Sequence, residues 1–258
     1  MAGKLRIGGV SYGVGAPLLE GLDSDPEVDF SLDSPAALIT PLREGLLDAA
    51  LLSSIEAFRN PGYSVLSGLG IACRGPARSV RAFARPGPIE TVGLDHGSAT
   101  SVALLKILLH HGLLGEVVEN PTFEAIEPTL ELDRLPHDLV MFIGDCGLQA
   151  ESDSRTPLDL GELWHSWTGL PFVFAIWLIR GNAPADIIAR KLFAAREAAV
   201  AAKVSDGTDG AIYYDIGEED LVGLRRFHRE AADLDLADPA LELHFHDFPM
   251  SADSGANA

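Results

Sequence analysis

Apolar residues come in short blocks along the chain, separated by amphipathic stretches and by glycine- or proline-rich breaks. Lys4–Tyr12 has the pattern of a strand and breaks at Gly13-Val-Gly-Ala-Pro17, where Pro17 suits the first turn of a helix continuing through Leu-Leu-Glu-Gly-Leu. Pro35–Gly45 has helical spacing and a glycine stop. Asp48–Ser53 is a short apolar run of the buried parallel-strand kind. Ile55–Arg59 predicts a short helix, ended by Asn60-Pro61-Gly62. Tyr63–Cys73, Arg78–Ala84, Thr91–Leu94, Gly115–Val118, Leu139–Ile143 and Pro171–Ile179 read as strands. Val102–Gly112, Leu158–Trp167, Pro184–Lys203 and Asp215–Asp235 read as helices, with a loop at Asp206–Gly210. The tail from Asp238 carries weak order signals, and its end, Met250–Ala258, reads as disordered.

Strands alternating with helices make the class α/β with mostly parallel pairing. Two strands, Ser79–Arg85 and Pro171–Arg180, are candidates for crossing between lobes. On that reading residues 1–85 and 175–258 form one discontinuous lobe and residues 86–174 a second. A ligand cleft then lies between them, and such hinged pairs close on what they bind.

Composition narrows the function. Of 258 residues, 47% are hydrophobic and 22% charged, enough for a sizeable core without a metal or disulfide staple. Nineteen Lys and Arg against 38 Asp and Glu give a net charge of −19. That excludes nucleic acid and anionic membrane surfaces as expected partners, because both need clustered positive charge. Cys73 and Cys146 lack CxxC spacing and read as small buried hydrophobes. No secretory signal pattern is visible, and the longest apolar run, Gly169–Ile179, is too short to span a bilayer, so a cytoplasmic protein is expected. His244-x-His246 has no evident third ligand, so no metal is expected. Gly13-x-Gly15 lacks the third glycine of a dinucleotide loop, and GxxxxGK[ST] and GxSxG are absent, so no nucleotide or nicotinamide cofactor is expected.

The candidate chemistry is hydroxyl-rich. Ser98-Ala-Thr-Ser101 directly precedes a strong helix, whose first amides have no internal partner and whose dipole is positive there. Ser98, Thr100 and Ser101 therefore make either a carboxylate or phosphate site or an ordinary helix cap. Gly144-Asp145 follows a buried strand at the edge where ligands of open α/β sheets bind. There Asp145 either orients a substrate hydroxyl or caps a helix. Ser11, Tyr12, Ser53, Ser54 and Ser79 gather in the cleft if the two-lobed arrangement holds, and otherwise serve local turns. Trp164, Trp167 and Trp177 read as core and hinge packing.

Seven segments in order carry a resemblance: LRIGGVSYGVGAPLLEGL, EGLLDAALLSSIEAFRNP, LGIACRGPARSV, SATSVALLKILL, IGDCGL, LDLGELWHSWTGLPFVFAIW and YDIGEEDLVGLRRF. They resemble the chorismate dehydratase family of the futalosine route to menaquinone, from about Leu5 to Phe227. The resemblance implies the two-lobed fold of type II periplasmic binding proteins, with mixed, mostly parallel sheets joined by two crossover strands. It implies a lyase that converts chorismate to 3-[(1-carboxyvinyl)oxy]benzoate without a cofactor, its partner being a small-molecule carboxylate. Ser79 in GPARSV and Asp145 in IGDCGL are then the candidate catalytic residues. Ser11, Tyr12, Val14, Ser53, Ser98, Thr100, Ser101, Gly144 and Thr168 are the candidate substrate contacts. One position departs from the family. Its first loop usually reads Y-L-N-x-x-P, whereas this chain has Tyr12-Gly13-Val14-Gly15-Ala16-Pro17, with Val14 at the place of the amide. The departure keeps two alternatives in play: a non-catalytic carboxylate-binding protein, and an enzyme for a related substrate.

Overall fold

A computed structural model describes residues 3–248, so the expectation for Met250–Ala258 lies outside the described residues. The chain forms two mixed sheets. The larger takes β1 (Leu5–Val10), β2 (Val28–Asp33), β3 (Ala49–Ser53) and β4 (Tyr63–Cys73) from the N-terminal part. The smaller takes β5 (Val80–Ala84), β6 (Ile89–Leu94), β7 (Val117–Ala125), β8 (Leu139–Ile143) and β9 (Thr156–Asp159). The chain then returns to the larger sheet with β10 (Phe172–Arg180), β11 (Ile212–Asp215) and β12 (Phe245–His246). The orders are β11-β4-β10-β3-β1-β2, with β12 beside β4, and β7-β6-β8-β5-β9.

Among the described residues, parallel and antiparallel pairings are equal in number, five of each, rather than mostly parallel. The reason is the return path. β10 comes back from the smaller sheet and inserts antiparallel between β3 and β4, while β5 enters the smaller sheet antiparallel to both β8 and β9. Sheet membership puts the passages between sheets at residues 74–79 and 160–171, so neither Val80–Ala84 nor Phe172–Arg180 is itself the bridge.

Burial explains which strands the hydrophobic pattern revealed. β3, β8 and all of β10 except Arg180 are buried and read as continuous apolar runs. β2, β9 and most of β7 are exposed edge strands, and their polar sequences carry little signal. Pro121 is tolerated in β7 because the strand lies at a sheet edge. The helices are α1 (Ile39–Arg43), α2 (Ala99–His110), α3 (Gly144–Gln149), α4 (Leu160–Thr168), α5 (Ala185–Ala202) and α6 (Glu218–Asp233). The helix expected over Pro35–Gly45 shrinks to α1. Gly13–Leu18 and Ser54–Phe58 are 3-10 turns. No helix among the described residues is long and apolar enough to cross a membrane.

The second passage between the sheets is held by aromatic packing. Trp164 of α4 is fully buried, donates its indole N–H to the Pro171 carbonyl at 3.1 Å, and meets Phe172 edge-on at 5.2 Å. Phe172 meets Phe227 of α6 at 5.0 Å and Phe174 at 4.7 Å, in tilted geometry that suits aromatic quadrupoles. The first passage is held by Asp159. Its carboxylate accepts the Ala77 and Arg78 amides at 2.9 and 2.6 Å and also caps α4 through Gly161 and Glu162.

Beneath the larger sheet, Glu56 has no exposed surface and accepts two bonds from Arg43 at 2.8 Å each. Burial pushes its carboxyl above the ordinary range, and Arg43 opposes that push. Arg43→Met strands this carboxylate and lowers unfolding stability by about 3 kcal/mol in denaturant titrations, and adding Glu56→Gln recovers most of the loss. Equal stability of the single and double variants contradicts this role.

Candidate functional site

The two sheets face each other with their strand ends, and a cavity lies between them. Its apolar walls are Val10 from β1, Ile71 from β4, Val80 from β5, Ile143 from β8, Phe174 from β10 and Ile212 from β11. Four polar side chains interrupt those walls: Tyr12, Ser79, Ser98 and Ser101. The unfilled space, open solvent at its edge included, is ≈ 460 Å³, and its enclosed part is narrow.

The start of α2 forms one side. Ser98 caps the helix, its hydroxyl oxygen accepting the Ser101 amide at 3.3 Å and the Ser101 hydroxyl at 3.1 Å. Ser53 stands 3.4 Å from the same Ser98 oxygen, behind it and away from the cavity wall. Thr100 points the other way. Its hydroxyl oxygen accepts the Ile55 amide at 3.1 Å and lies 3.2 Å from the Ser54 hydroxyl, which in turn donates to the Val173 carbonyl at 2.7 Å. Thr100 thus bolts α2 to the larger sheet, while Ser98 and Ser101 face the cavity. The choice between cap and anion site dissolves here, since Ser98 caps the helix and also lines the cavity.

Ser79 immediately precedes β5 and is 3% exposed. Its hydroxyl makes no hydrogen bond among the described residues and borders the cavity. Its carbonyl lies against the Cα of Gly147 in α3, where a Cβ would collide with it and with the Phe142 carbonyl. Glycine at 147 therefore lets α3 press on the strand that carries Ser79.

Tyr12 reaches across from the end of β1. Its ring lies against Gly144, which has φ +56°, and its hydroxyl lies over Gly97. Any side chain at Gly97 or Gly144 would displace it. Burial pushes its phenol up to about 12, and the charges of Asp95, Asp145 and Asp33 add to the push, so the ring is a donor at neutral pH. Asp95, which the sequence pattern did not single out, is 3% exposed and ties the ends of β6 and β8 together. It accepts the Gly97 amide at 2.9 Å and the Ile143 amide at 3.3 Å, and burial raises its carboxyl.

Val14 lines the cavity with its side chain, and its carbonyl lies 2.9 Å from the Tyr214 hydroxyl, which also meets Asp206 at 2.6 Å. Gly144 is in the wall, but Asp145 turns outward and is exposed, in the first turn of α3 and beside Gly13. Ser11 is exposed on the outer side of the same turn. Thr168 lies outside the cavity: it donates to the Trp164 carbonyl at 2.8 Å and accepts the Leu170 amide at 3.1 Å, closing α4 locally. The cavity therefore brings together Tyr12, Val14, Ser79, Ser98, Ser101 and Gly144, and leaves Ser11, Ser53, Thr100, Asp145 and Thr168 outside it. Its apolar walls were invisible as site residues, because in sequence they match any core strand.

Paired sheets with hydroxyls converging on the seam between them define a protein of the periplasmic-binding-protein-like class. Solved structures bear this out at the level of fold. A protein from Archaeoglobus fulgidus matches with a TM-score of 0.66 and 15% identity, over 90% of this chain and 98% of that one. The periplasmic aliphatic sulphonate binding protein of Escherichia coli matches with a TM-score of 0.56 and 14% identity, over 93% and 95%. A Candida albicans protein described as having the generic periplasmic binding protein fold matches with a TM-score of 0.58 and 11% identity, over 98% and 99%. Within that class, the family model described as menaquinone biosynthesis matches residues 5–207, and the chain belongs to this family. It is also 33% identical over 170 residues to the chorismate dehydratase of Thermus thermophilus, covering 58% of this chain. That match spans 60% of the Thermus protein's length.

Two expectations follow from the geometry. Burial raises all four tyrosines, Tyr12, Tyr63, Tyr213 and Tyr214. Their neutral forms are favoured in the fold, so the stability they contribute is present below pH ~10 and is lost as pH rises through the folded values. Absorbance at the tyrosinate band stays flat through pH ~10 and rises together with unfolding, whereas half-ionisation of the folded protein at pH ~10 contradicts the burial account. Separately, Gly147→Ala lowers stability by about 2 kcal/mol, several degrees of melting temperature, because backbone rather than a side-chain tip blocks the new methyl. An unchanged melting temperature contradicts the close packing of α3 on β5.

Proposed function

We propose that the protein dehydrates chorismate to 3-[(1-carboxyvinyl)oxy]benzoate. The observation that carries this reading is the convergence of the Ser79, Ser98 and Ser101 hydroxyls and the Tyr12 phenol in an otherwise apolar cavity. Membership of the menaquinone biosynthesis family and the similarity to a chorismate dehydratase support chorismate as the substrate.

The reaction removes the ring 4-hydroxyl and the C3 proton. The C3–H electron pair becomes the third ring double bond as the C4–O bond breaks, and water leaves. Aromaticity drives the step, so the protein's task is to hold a dianion, exclude water and help hydroxide depart. The start of α2, with its dipole and the Ser98 and Ser101 hydroxyls, suits the ring carboxylate. Ser79, whose hydroxyl makes no hydrogen bond among the described residues, donates to the departing oxygen. Among the described residues the cavity lining holds no carboxylate, imidazole or amine, and Tyr12 stays protonated. The C3 proton therefore goes to the substrate's own enolpyruvyl carboxylate, or directly onto the leaving oxygen. Closing of the two sheets over the ring excludes water.

A second reading rests on Val14. It offers the cavity a methyl surface where the family's first loop usually has an amide, which fits a relative that holds a small carboxylate without turning it over.

Mixing the protein with chorismate and following ultraviolet absorbance with product mass separates the two readings. The dehydratase reading expects loss of one water and the aromatic product, with Ser79→Ala slowing turnover by about 10²-fold. Intact chorismate that binds by calorimetry favours the second reading. Val14→Asn raises turnover if the missing amide limits the rate.

A further inference from the structure

Asp95 stands behind the cavity wall rather than in it, directly after β6, and is buried. One of its carboxylate oxygens accepts the Gly97 amide at 2.9 Å and the other the Ile143 amide at 3.3 Å. Each oxygen keeps a lone pair for a second donor. The Tyr12 hydroxyl is the group beside it. Both crowd the one point where a Cβ on Gly97 would stand: the phenol oxygen lies against that point, and Asp95 Oδ1 is 3.1 Å from it. Glycine at 97 lets the two approach, although Tyr12 follows a strand of the larger sheet and Asp95 a strand of the smaller. No hydrogen bond fixes the phenol among the described residues, and Asp95 is the strongest charge acting on it, ahead of Asp145 and Asp33.

A hydroxyl dipole in the field of a carboxylate turns its hydrogen towards the charge. The Tyr12 hydrogen therefore points at Asp95, and the oxygen lone pairs are left for the cavity that Tyr12 lines. The Ser98 oxygen already accepts two bonds from Ser101 and has little capacity for a third. Tyr12 thus offers an acceptor on one side of the cavity, where the start of α2 offers donors on the other.

We propose that Asp95 is a positioning residue that turns Tyr12 into an acceptor for a hydroxyl group on the ligand ring, so that the cavity selects hydroxylated ring carboxylates over rings that lack the hydroxyl. The dehydratase reading supplies only the identity of that group. On it, the group is the 4-hydroxyl that the reaction removes: Ser79 donates to its oxygen and Tyr12 accepts its hydrogen. The aromatic product has no such hydroxyl and leaves the Tyr12 oxygen unpaired between apolar walls, which favours product release.

Calorimetry on the full chain tests this with shikimate and cyclohex-1-ene-1-carboxylate, which share a ring carboxylate and differ by the ring hydroxyls. The unaltered protein prefers shikimate by about tenfold or more. Asp95→Asn and Tyr12→Phe each lower shikimate affinity about tenfold and leave the other probe within about twofold. The double variant is no worse than either single one, because Asp95 acts through Tyr12. Gly97→Ala, whose methyl parts the two groups, abolishes the preference in the same way and carries the test should Asp95→Asn not fold. Circular dichroism and melting temperature check each variant. Equal loss of both probes in Asp95→Asn, or losses that add in the double variant, makes Asp95 a tie between strands and overturns the proposal. Unchanged shikimate affinity in Tyr12→Phe overturns it too, as does an unaltered protein without the preference. Chorismate separates the two readings. Turnover with KM unchanged in both single variants overturns the role of Asp95 and leaves the dehydratase reading standing. Chorismate that stays intact, with a shikimate preference that depends on Asp95 and Tyr12, overturns the dehydratase reading and supports the role of Asp95.

Discussion

The candidate site depends on where one helix begins. Thr100, Ser54 and the Ile55 amide form a buried knot that holds the start of α2 against the larger sheet, although the strand before α2 belongs to the smaller one. In an interior that leaves no polar group unpaired without cost, three partners satisfied at once fix a geometry more firmly than packing alone. With Thr100 fixed, helical spacing turns Ser98 and Ser101 towards the cavity. The same serine-rich start thus serves the fold with one hydroxyl and the cavity with two.

Glycines set the rest of the geometry by what they leave out. Gly97 and Gly144 make room for the ring of Tyr12, and Gly147 lets α3 lie against the carbonyl of Ser79. The cavity is therefore shaped by close backbone approach on one side and branched aliphatic walls on the other. Its polar side chains are neutral hydroxyls. Such a lining suits a flat apolar ring with polar groups at its edge, because a buried charge without a partner is costly and a hydroxyl with several rotamers is adaptable.

Much of this was legible in the chain. The fully apolar runs Ala49–Ser53 and Leu139–Ile143 announce buried strands, and Ser98 announces a helix start, because burial and capping leave strong compositional marks. β2, β9 and β11 left no such mark: β2 and β9 are polar edges and β11 is four residues long. Among site residues, Tyr12, Val14, Ser79, Ser98, Ser101 and Gly144 were placed by strand ends and by the resemblance to a family. The Thr100 and Thr168 hydroxyls bond within the protein, and in sequence a hydroxyl at a helix end looks the same whether it bonds to the protein or to a ligand. Asp95 leaves no mark in the sequence because its role is spatial: it accepts an amide 48 positions away.

The central claim is that a ring carboxylate sits at the start of α2 with Ser79 over the ring. A crystal structure with the aromatic product, 3-[(1-carboxyvinyl)oxy]benzoate, tests it most directly. The account predicts the ring between Phe174 and Ile143, one carboxylate within hydrogen-bond distance of Ser98 and Ser101, and Ser79 near ring C4. A product bound outside this cavity, or bound within it with its carboxylates away from α2, contradicts the account.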